Sequence, residues 1–314
     1  MRSVGYSRLW LTYTTAFLGF ILVTLWTPII SFSQEQLLNG TNSSNASSQG
    51  SGKVVILTFD DGWQSQIDNA KPVLDRYGFK GTFFITCNYI DKDKSRMTWD
   101  GVVSLEKEGH DIQAHTMSHK NLNKLNAQDL EYEVGDSKKC LENHGINSTI
   151  MATPYNEGWN NSTVIKKIAK YYDLARNGNA DIMFLRCDKW GPGQTDCRTF
   201  YDNGTLTFAN KYSIRAWSHN YYDNKYQHNK TEIFDEFVKT INDQARFRNV
   251  NGTASAVPII IYHNIDNTKN PYTTSIELFE SEMKYLQDNG FKVITMDDLG
   301  YDNKTNYLYL DPSR

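Results

Sequence analysis

The sequence lacks a basic stripe and any marked excess of one charge. Its 314 residues include 33 Lys and Arg against 36 Asp and Glu, a formal net charge of -3, and the two signs are interspersed. Proteins that bind nucleic acid present clustered basic surface, so we expect no nucleic acid or other polyanion as a partner. The chain also lacks the low hydrophobicity of a disordered protein, because hydrophobic residues make up 39% of it. This fraction suffices for the core of one large domain or two small ones.

Cys-x-x-Cys pairs and zinc-ribbon spacings are absent from the four cysteines. In an oxidising compartment such cysteines are typical disulfide partners, and three connectivities are open. We expect Cys187 to pair with Cys197, closing a loop rich in Gly, Pro and Asp, which leaves Cys87 with Cys140. The alternative is that one or both pairs remain buried thiols.

An uncharged segment occupies residues 9–32 at the N-terminus. It follows Arg2 and Arg8 and ends in the small-x-small pattern Ser31-Phe32-Ser33. We interpret residues 1–33 as an export signal. The small-x-small pattern narrowly favours cleavage, whereas a length of about 20 residues or more also suffices for a retained membrane anchor. Residues 34–52, rich in Asn, Ser and Gly, are expected to be a flexible linker.

Acceptor sites for N-glycosylation are frequent, which fits an exported chain with an extracellular or cell-surface location. They occur at Asn39, Asn42, Asn45, Asn147, Asn160, Asn161, Asn203, Asn229, Asn251 and Asn303. In a chain rich in Asn, some of these sites are expected to be accidental.

Short apolar runs alternate with helical patterns from residue 53 to residue 300, which predicts repeated βα units around a parallel sheet. The expected strands are 54–59, 81–86, 111–114, 150–153, 212–217, 257–262 and 291–294. The expected helices are 65–77, 99–108, 126–143, 161–172, 230–248 and a last helix from a Thr274/Glu277 capping box to 289. Residues 177–211 are expected to form an inserted loop and residues 301–314 a C-terminal tail.

Seven or so such units in one domain predict an α/β fold, a closed or nearly closed (β/α) barrel. An open doubly wound sheet is the alternative. It is disfavoured because no Gly-x-Gly-x-x-Gly turn follows the first strand.

Two adjacent acids, Asp60 and Asp61, end the first strand and precede Gly62. Asp-Gly is a favoured turn pair, which accounts for one of the acids. The carboxyl ends of barrel strands are also where such folds place their chemistry. Taken alone, the pair leaves both interpretations open.

Two histidines, His115 and His119, follow the third strand at a spacing that would place both imidazoles on one face of a helical turn. They could point at one metal ion, with Asp61 from the neighbouring strand end as the third ligand. Two His and one Asp make a hydrolytic site with open positions for water and substrate. A lone His-x-x-x-His is more often an exposed or core pair, and the nearby acids favour the metal interpretation.

Three segments resemble, in order, motifs of the polysaccharide deacetylase family, whose members share the NodB-type domain. These are 58–62 with the two acids, 115–119 with the two histidines, and 261–263, which ends in His263. The resemblance covers about 53–299 and implies a distorted β/α barrel with a divalent metal. Zn²⁺ is the expected ion, with Co²⁺, Ni²⁺ and Mn²⁺ as alternatives. Carried onto matching positions, it implies Asp61, His115 and His119 as metal ligands, Asp60 as general base and His263 as general acid.

The chain departs from the family at its third motif, usually Arg-x-Pro-Tyr, where it reads Ala152-Thr-Pro-Tyr155. The arginine that would hold the base is absent, and we expect Arg215, at the end of a later strand, to replace it. A surface or structural role for this arginine is the alternative. The resemblance implies that Tyr155 offers its backbone amide near the developing oxyanion. Pro154, Tyr155 and Trp217 are expected to contact substrate, with Trp217 and 188–190 as weak stand-ins for the fourth motif.

The expected function is that of an exported, metal-dependent hydrolase that removes N-acetyl groups from amino sugars of a polysaccharide. One alternative is a carbohydrate-binding protein that keeps the barrel without catalysis. Another is a hydrolase of a small non-sugar amide. Retention of Asp60 and His263 favours the enzyme, because binding alone requires neither. No pattern in the chain predicts an oligomeric state.

Overall fold

Parallel strands form the centre of the structure, a computed structural model that describes residues 52–178, 180–185, 211–219, 229–247, 254–268, 270, 272–304 and 307–311. In chain order the strands are β1 (Val54–Asp60), β2 (Thr82–Ile85), β3 (Asp111–Ala114), β4 (Ile150–Ala152), β5 (Leu174–Arg176), β6 (Met183–Phe184), β7 (Trp217–Ser218), β8 (Ala256–Val257), β9 (Ile259–Tyr262), β10 (Asn264–Ile265), β11 (Thr273–Thr274), β12 (Lys292–Ile294), β13 (Leu299–Asp302) and β14 (Tyr307–Leu310). The main sheet has the order β5-β4-β3-β2-β1-β9-β7, and β12 also pairs with β1.

The first strand, β1, is central because every one of its residues is buried. Its β-branched and aliphatic run suits a strand covered on both faces. It pairs in parallel with β9, β2 and β12. The strand therefore delivers its last residue, Asp60, to the middle of the carboxyl edge of the sheet.

A parallel bridge between Arg176 and Ile214 links the two ends of the strand order. The Ile214 amide donates to the carbonyl of Ala175 at 2.9 Å, and the Asn177 amide donates to the carbonyl of Ile214 at 2.8 Å. The strand predicted over 212–217 thus consists of this bridge followed by β7. The curled parallel sheet with its helices confirms the predicted distorted (β/α) barrel.

The helices are α1 (Lys71–Tyr77), α2 (Trp99–Lys107), α3 (Ala127–Glu131), α4 (Ser137–Glu142), α5 (Ser162–Ile168), α6 (Lys230–Asp243) and α7 (Ile276–Asp288). Two π-helical turns, Gln66–Ala70 and Tyr132–Asp136, precede α1 and join α3 to α4. Short 3-10 turns lie at Cys87–Tyr89, Leu122–Lys124, Pro154–Asn156, Gln244–Phe247 and Met296–Asp298. None of the helices in the described ranges has the length and apolar character needed to cross a bilayer.

Two predicted helix caps have different outcomes. Asn126 caps α3 as predicted, since its side chain accepts from the amides of Gln128 and Asp129. The capping box at Thr274 is wrong, because the N-cap of α7 is Ser275. Thr274 instead belongs to β11, and its hydroxyl contacts the imidazole of His219 at 3.1 Å.

The C-terminal residues form a hairpin rather than the predicted tail from residue 301. β13 pairs antiparallel with β14 across that boundary. Leu308 of β14 is fully buried, and its amide donates to the carbonyl of Leu185 at 3.1 Å. Burial of an apolar side chain holds this end of the chain against the core.

A disulfide links Cys87 to Cys140, as expected. Cys187 and Cys197 lie outside the described residues, as do residues 188–190. The same holds for residues 1–51, which comprise the predicted export segment and most of the predicted linker. The structure therefore carries one of the two expected bridges within its described part.

Candidate active site

The two acids at the end of β1 face different partners because the backbone turns between them. Asp60 is the last strand residue, whereas Asp61 has φ of 76° and Gly62 has φ of 69°. Aspartate enters the left-handed region more readily than most residues, because its short side chain can bond to nearby backbone. The turn is held by the Asp61 amide, which donates to the carbonyl of Phe84 at 3.0 Å.

Asp61 forms a compact cluster with the two histidines. Its Oδ1 lies 3.6 Å from Nε2 of His115 and 3.4 Å from Nε2 of His119. One ligand atom of each residue lies within 4.8 Å of the others. Nδ1 of His115 contacts the carbonyl of Ala152 at 2.9 Å, so a proton on Nδ1 leaves Nε2 free to act as a ligand.

The loop that carries the histidines is irregular and not the helical turn that the spacing suggested. Thr116 and His119 both have positive φ, 66° and 59°. Its conformation is fixed by Glu133 in the second π-helical turn, which accepts from the amide of Ser118 at 2.8 Å and also from its hydroxyl. π-helical turns often occur at functional sites, and here one supplies a buried carboxylate that supports the loop.

The cluster fits a divalent cation. Among the described residues, the buried Oδ1 of Asp61 has no hydrogen-bond partner, and a carboxylate with two imidazoles is a typical donor set for zinc. Burial opposes ionisation of Asp61, but the facing charges of His263, His115 and other cations outweigh it and lower its pKa. Burial, followed by the charge of His115, lowers the pKa of His119 to about 4, so this imidazole stays neutral at neutral pH.

Asp60 is held by Arg176 of β5, which corrects the expectation that Arg215 plays this part. Nη2 of Arg176 lies 2.6 Å from Oδ1 and 2.7 Å from Oδ2 of Asp60. Arg215 is instead a half-buried residue of the segment before β7, where its amide donates to Sδ of Met183 at 3.3 Å. The reason is positional, because Arg176 ends a strand at the same carboxyl edge of the sheet as Asp60.

His263 follows β9 beside the cluster and is tied to β1 by Gln66. Nε2 of Gln66 donates to the carbonyls of His263 at 2.8 Å and Asp60 at 2.7 Å. Within the described residues, Nδ1 of His263 is buried without a hydrogen-bond partner. The ring of Tyr272 lies 5.3 Å from the imidazole and is 49% exposed.

The residues expected to contact substrate differ in exposure. Tyr155 is 62% exposed, has φ of 58° and packs edge-on against His119 at 4.7 Å. Pro154 is buried beneath it. Trp217 is only 4% exposed and packs against His219 at 5.3 Å. The structure places its indole in the core, and its contact with substrate stays a prediction.

Sequence reasoning missed Arg176, Gln66 and Arg96. Nη1 of Arg96 donates to the carbonyl of Asp61 at 3.0 Å, and its guanidinium stacks 3.5 Å from the ring of Trp63. The available signal for Arg176 was a basic residue directly after the apolar pair Leu174-Ala175. The polar contacts of Gln66 and Arg96 have no local sequence signal, since each reaches backbone atoms.

The segment that holds the two acids and the two histidines is also similar to known proteins. Residues 47–175 match the sequence model of the polysaccharide deacetylase family. YxkH of Bacillus subtilis, whose name places it among the polysaccharide deacetylases, is 37% identical over 109 residues, 33% of this chain and 39% of that protein. A chitin deacetylase of Arthroderma benhamiae is 35% identical over 106 residues, 32% of this chain and 27% of that protein.

The fold also resembles a solved structure, that of a family 4 carbohydrate esterase from Streptomyces lividans in complex with acetate. The TM-score is 0.51 at 13% sequence identity, and the match covers 83% of this chain and 98% of that chain. This likeness concerns the fold. At the level of sequence, the segment 47–175 is similar to the polysaccharide deacetylase family. The matched residues include the acid pair and both histidines and end one residue before Arg176.

Proposed function

We propose that this chain is a metal-dependent hydrolase that removes N-acetyl groups from amino sugars of an extracellular or cell-surface polysaccharide. The observation that carries the proposal is the cluster of Asp61, His115 and His119 beside Asp60, whose Oδ2 lies 3.9 Å from Nε2 of His115. The match of residues 47–175 to the family's sequence model and the similarity to a chitin deacetylase support the choice of substrate.

The metal that suits this donor set best is zinc, with cobalt, nickel and manganese as alternatives. A divalent ion held by Asp61, His115 and His119 would polarise the acetamide carbonyl and lower the pKa of water, to about 7 for zinc in favourable cases. An amide is a poor electrophile at neutral pH, so the reaction needs this assistance. The backbone amide of Tyr155 is proposed to stabilise the developing oxyanion.

Asp60 is proposed as the general base that takes the proton from the attacking water. The side chain is buried, and Arg176 contacts both of its oxygens, which fixes the carboxylate beside the cluster. A fixed base needs little rearrangement as the proton moves.

His263 is proposed as the general acid that gives a proton to the departing amine. Its backbone is anchored by Gln66, the same residue that anchors the backbone of Asp60. The acid and the base therefore keep a fixed separation. General acid catalysis of this kind typically contributes about 100- to 10,000-fold in rate.

Export is proposed from the N-terminal segment, and two observations in the described residues support it. The Cys87–Cys140 disulfide is typical of an oxidising compartment. Acceptor sites for glycosylation at Asn147, Asn160, Asn229 and Asn303 are solvent-exposed. Glycosylation and membrane attachment are proposals of the same kind.

Acetate release from chitin, poly-N-acetylglucosamine and peptidoglycan fragments tests the proposed function. The metal-loaded protein should release acetate from at least one of them, lose this activity with a chelator and regain it with zinc. Binding to a polysaccharide without acetate release would favour the non-catalytic alternative. Release only from small non-sugar amides would favour the third interpretation.

A further inference from the structure

Ala152 and Arg176 are register partners on the neighbouring parallel strands β4 and β5. Side chains at paired positions of a parallel sheet lie on the same face. Both are buried, with exposures of 0% and 1%. Asp60 is likewise the register partner of Phe84, over whose ring the guanidinium of Arg176 lies at 4.6 Å. The four side chains therefore share the interior face of the barrel.

The guanidinium of Arg176 bonds to the carboxylate of Asp60. Nη2 of Arg176 reaches both oxygens of Asp60, whereas its buried Nε has no hydrogen-bond partner within the part of the chain that the structure describes. The backbone of this arginine is fixed on both sides, since its carbonyl accepts from the amide of Thr153 at 2.9 Å and it bridges to Ile214. A buried charge is stable only when it is paired, so this arrangement ties the position of Asp60 to β5.

We propose that Arg176 is the positioning residue of the general base Asp60, and that an arginine at its register partner, position 152, can replace it. This rests on the proposed function. Ala152 leaves a small side chain at the interior position next to Arg176. A second guanidinium there would repel the first over one carboxylate, so the fold has room for one arginine at either position.

Loss of Arg176 acts through Asp60 rather than through substrate. Arg176 is buried behind the base, so its removal leaves substrate binding in place and frees the carboxylate to rotate. Misplacement of a reacting group by about 1 Å costs about 100-fold in rate. We therefore expect kcat to fall about 100-fold in Arg176→Met while KM stays within about 3-fold of the wild type.

The test compares Arg176→Met, Arg176→Ala and the relocated variant Ala152→Arg/Arg176→Ala in acetate release and zinc content. All three should bind as much zinc as the wild type, because the ligands are untouched. The relocated variant should recover at least 10-fold in kcat over Arg176→Ala. Arg76→Ala, which removes an exposed arginine paired with Glu280, is the control and should match the wild type. Full activity of Arg176→Met, or no gain on relocation in a folded, zinc-loaded variant, would overturn the inference.

Thermal unfolding gives a second readout that needs no activity. Arg176→Met should lower the Tm by about 5 °C or more, because it strands a buried carboxylate. Adding Asp60→Asn should raise the Tm again, since a neutral amide needs no counter-charge. If the two substitutions lowered the Tm additively, the two side chains would not be paired. If the wild type released no acetate while this coupling was present, the proposed function would fail and the ion pair would stand.

Discussion

Gln66 and His263 are joined by a 2.8 Å hydrogen bond from the side-chain amide of the first to the backbone carbonyl of the second. The same nitrogen donates to the carbonyl of Asp60 at 2.7 Å. Gln66 begins a π-helical turn and is fully buried. One side chain therefore couples the strand end that carries the proposed base to the strand end that carries the proposed acid.

Replacing Gln66 by Leu should lower kcat by about 10- to 100-fold. Both carbonyls lose their donor, and the two strand ends can shift by a fraction of an ångström. Zinc content should not change, because the side chain of Gln66 bonds to the backbone carbonyls of Asp60 and His263, neither of which is a proposed ligand. Gln128→Leu, at an exposed helical position, is the matched control. Wild-type kcat in Gln66→Leu would show that the coupling has no catalytic consequence.

Tyr272 should bind substrate beside the proposed acid. It is half-exposed, has φ of 64° and lies 5.3 Å from the ring of His263. A bulky residue in the left-handed region is strained, and such strain concentrates at functional sites. Tyr272→Ala should raise KM for a polysaccharide by about 10-fold with little change in kcat, whereas Tyr272→Phe should retain most of the affinity.

The exposed Tyr309 in the C-terminal hairpin provides the control for that measurement. Tyr309→Ala removes an aromatic ring of similar exposure. An equal rise in KM for both alanine variants would argue against a specific contact at Tyr272.

His110 should make stability depend on pH between about 4 and 6.5. Burial, followed by the charge of Lys80, lowers the pKa of His110 from 6.5 to about 4. As pH falls through this range, the imidazole becomes protonated in the unfolded state but stays neutral in the folded state. The free energy of unfolding therefore decreases by up to about 3 kcal/mol. Above pH 6.5 the contribution is complete.

The measurement is urea unfolding of metal-free wild type and His110→Asn at several pH values. Asparagine can still accept from the amide of Gly81, which contacts Nδ1 of His110 at 3.2 Å. The variant should lose less stability than the wild type on acidification. If the free energy of unfolding fell equally steeply with pH in the two proteins, His110 would not be the source of the pH dependence, since the other titrating groups are common to both.

The Cys87–Cys140 disulfide should stabilise the fold substantially. It closes a stretch with a sequence separation of 53, which corresponds to about 4 kcal/mol by loss of unfolded-chain entropy. Cys87→Ser/Cys140→Ser should therefore lower the Tm by roughly 10 °C. A loss of less than about 2 °C in calorimetry would show that the bridge contributes little.

Much of the fold could be predicted because its strands and helices carry strong local patterns. β1 and the helix capped by Asn126 were found from apolar runs and capping residues. Asp61, His115 and His119 come together because β1 and β3 both end at the carboxyl edge of the sheet, on either side of β2. Their left-handed loop was missed because the spacing of two histidines does not specify a backbone conformation.

The missed strand β5 had the largest consequence. Leu174–Arg176 is only three residues long and follows directly after a helix and its turn, too short for a period of alternation to be recognised. The apolar pattern around Arg215 is longer, so local sequence favours Arg215 over Arg176. Which of two arginines meets a carboxylate depends on sheet register, which local sequence does not determine.

The most direct test is acetate release per bound zinc, measured for the wild type, Asp60→Asn and His119→Ala. It asks whether Asp60 transfers the proton while Asp61 and the two histidines bind the metal. The wild type should bind zinc and release acetate. Asp60→Asn should bind as much zinc and release acetate at least about 100-fold more slowly, whereas His119→Ala should lose the zinc and the activity together. Wild-type turnover in zinc-loaded Asp60→Asn would contradict this division.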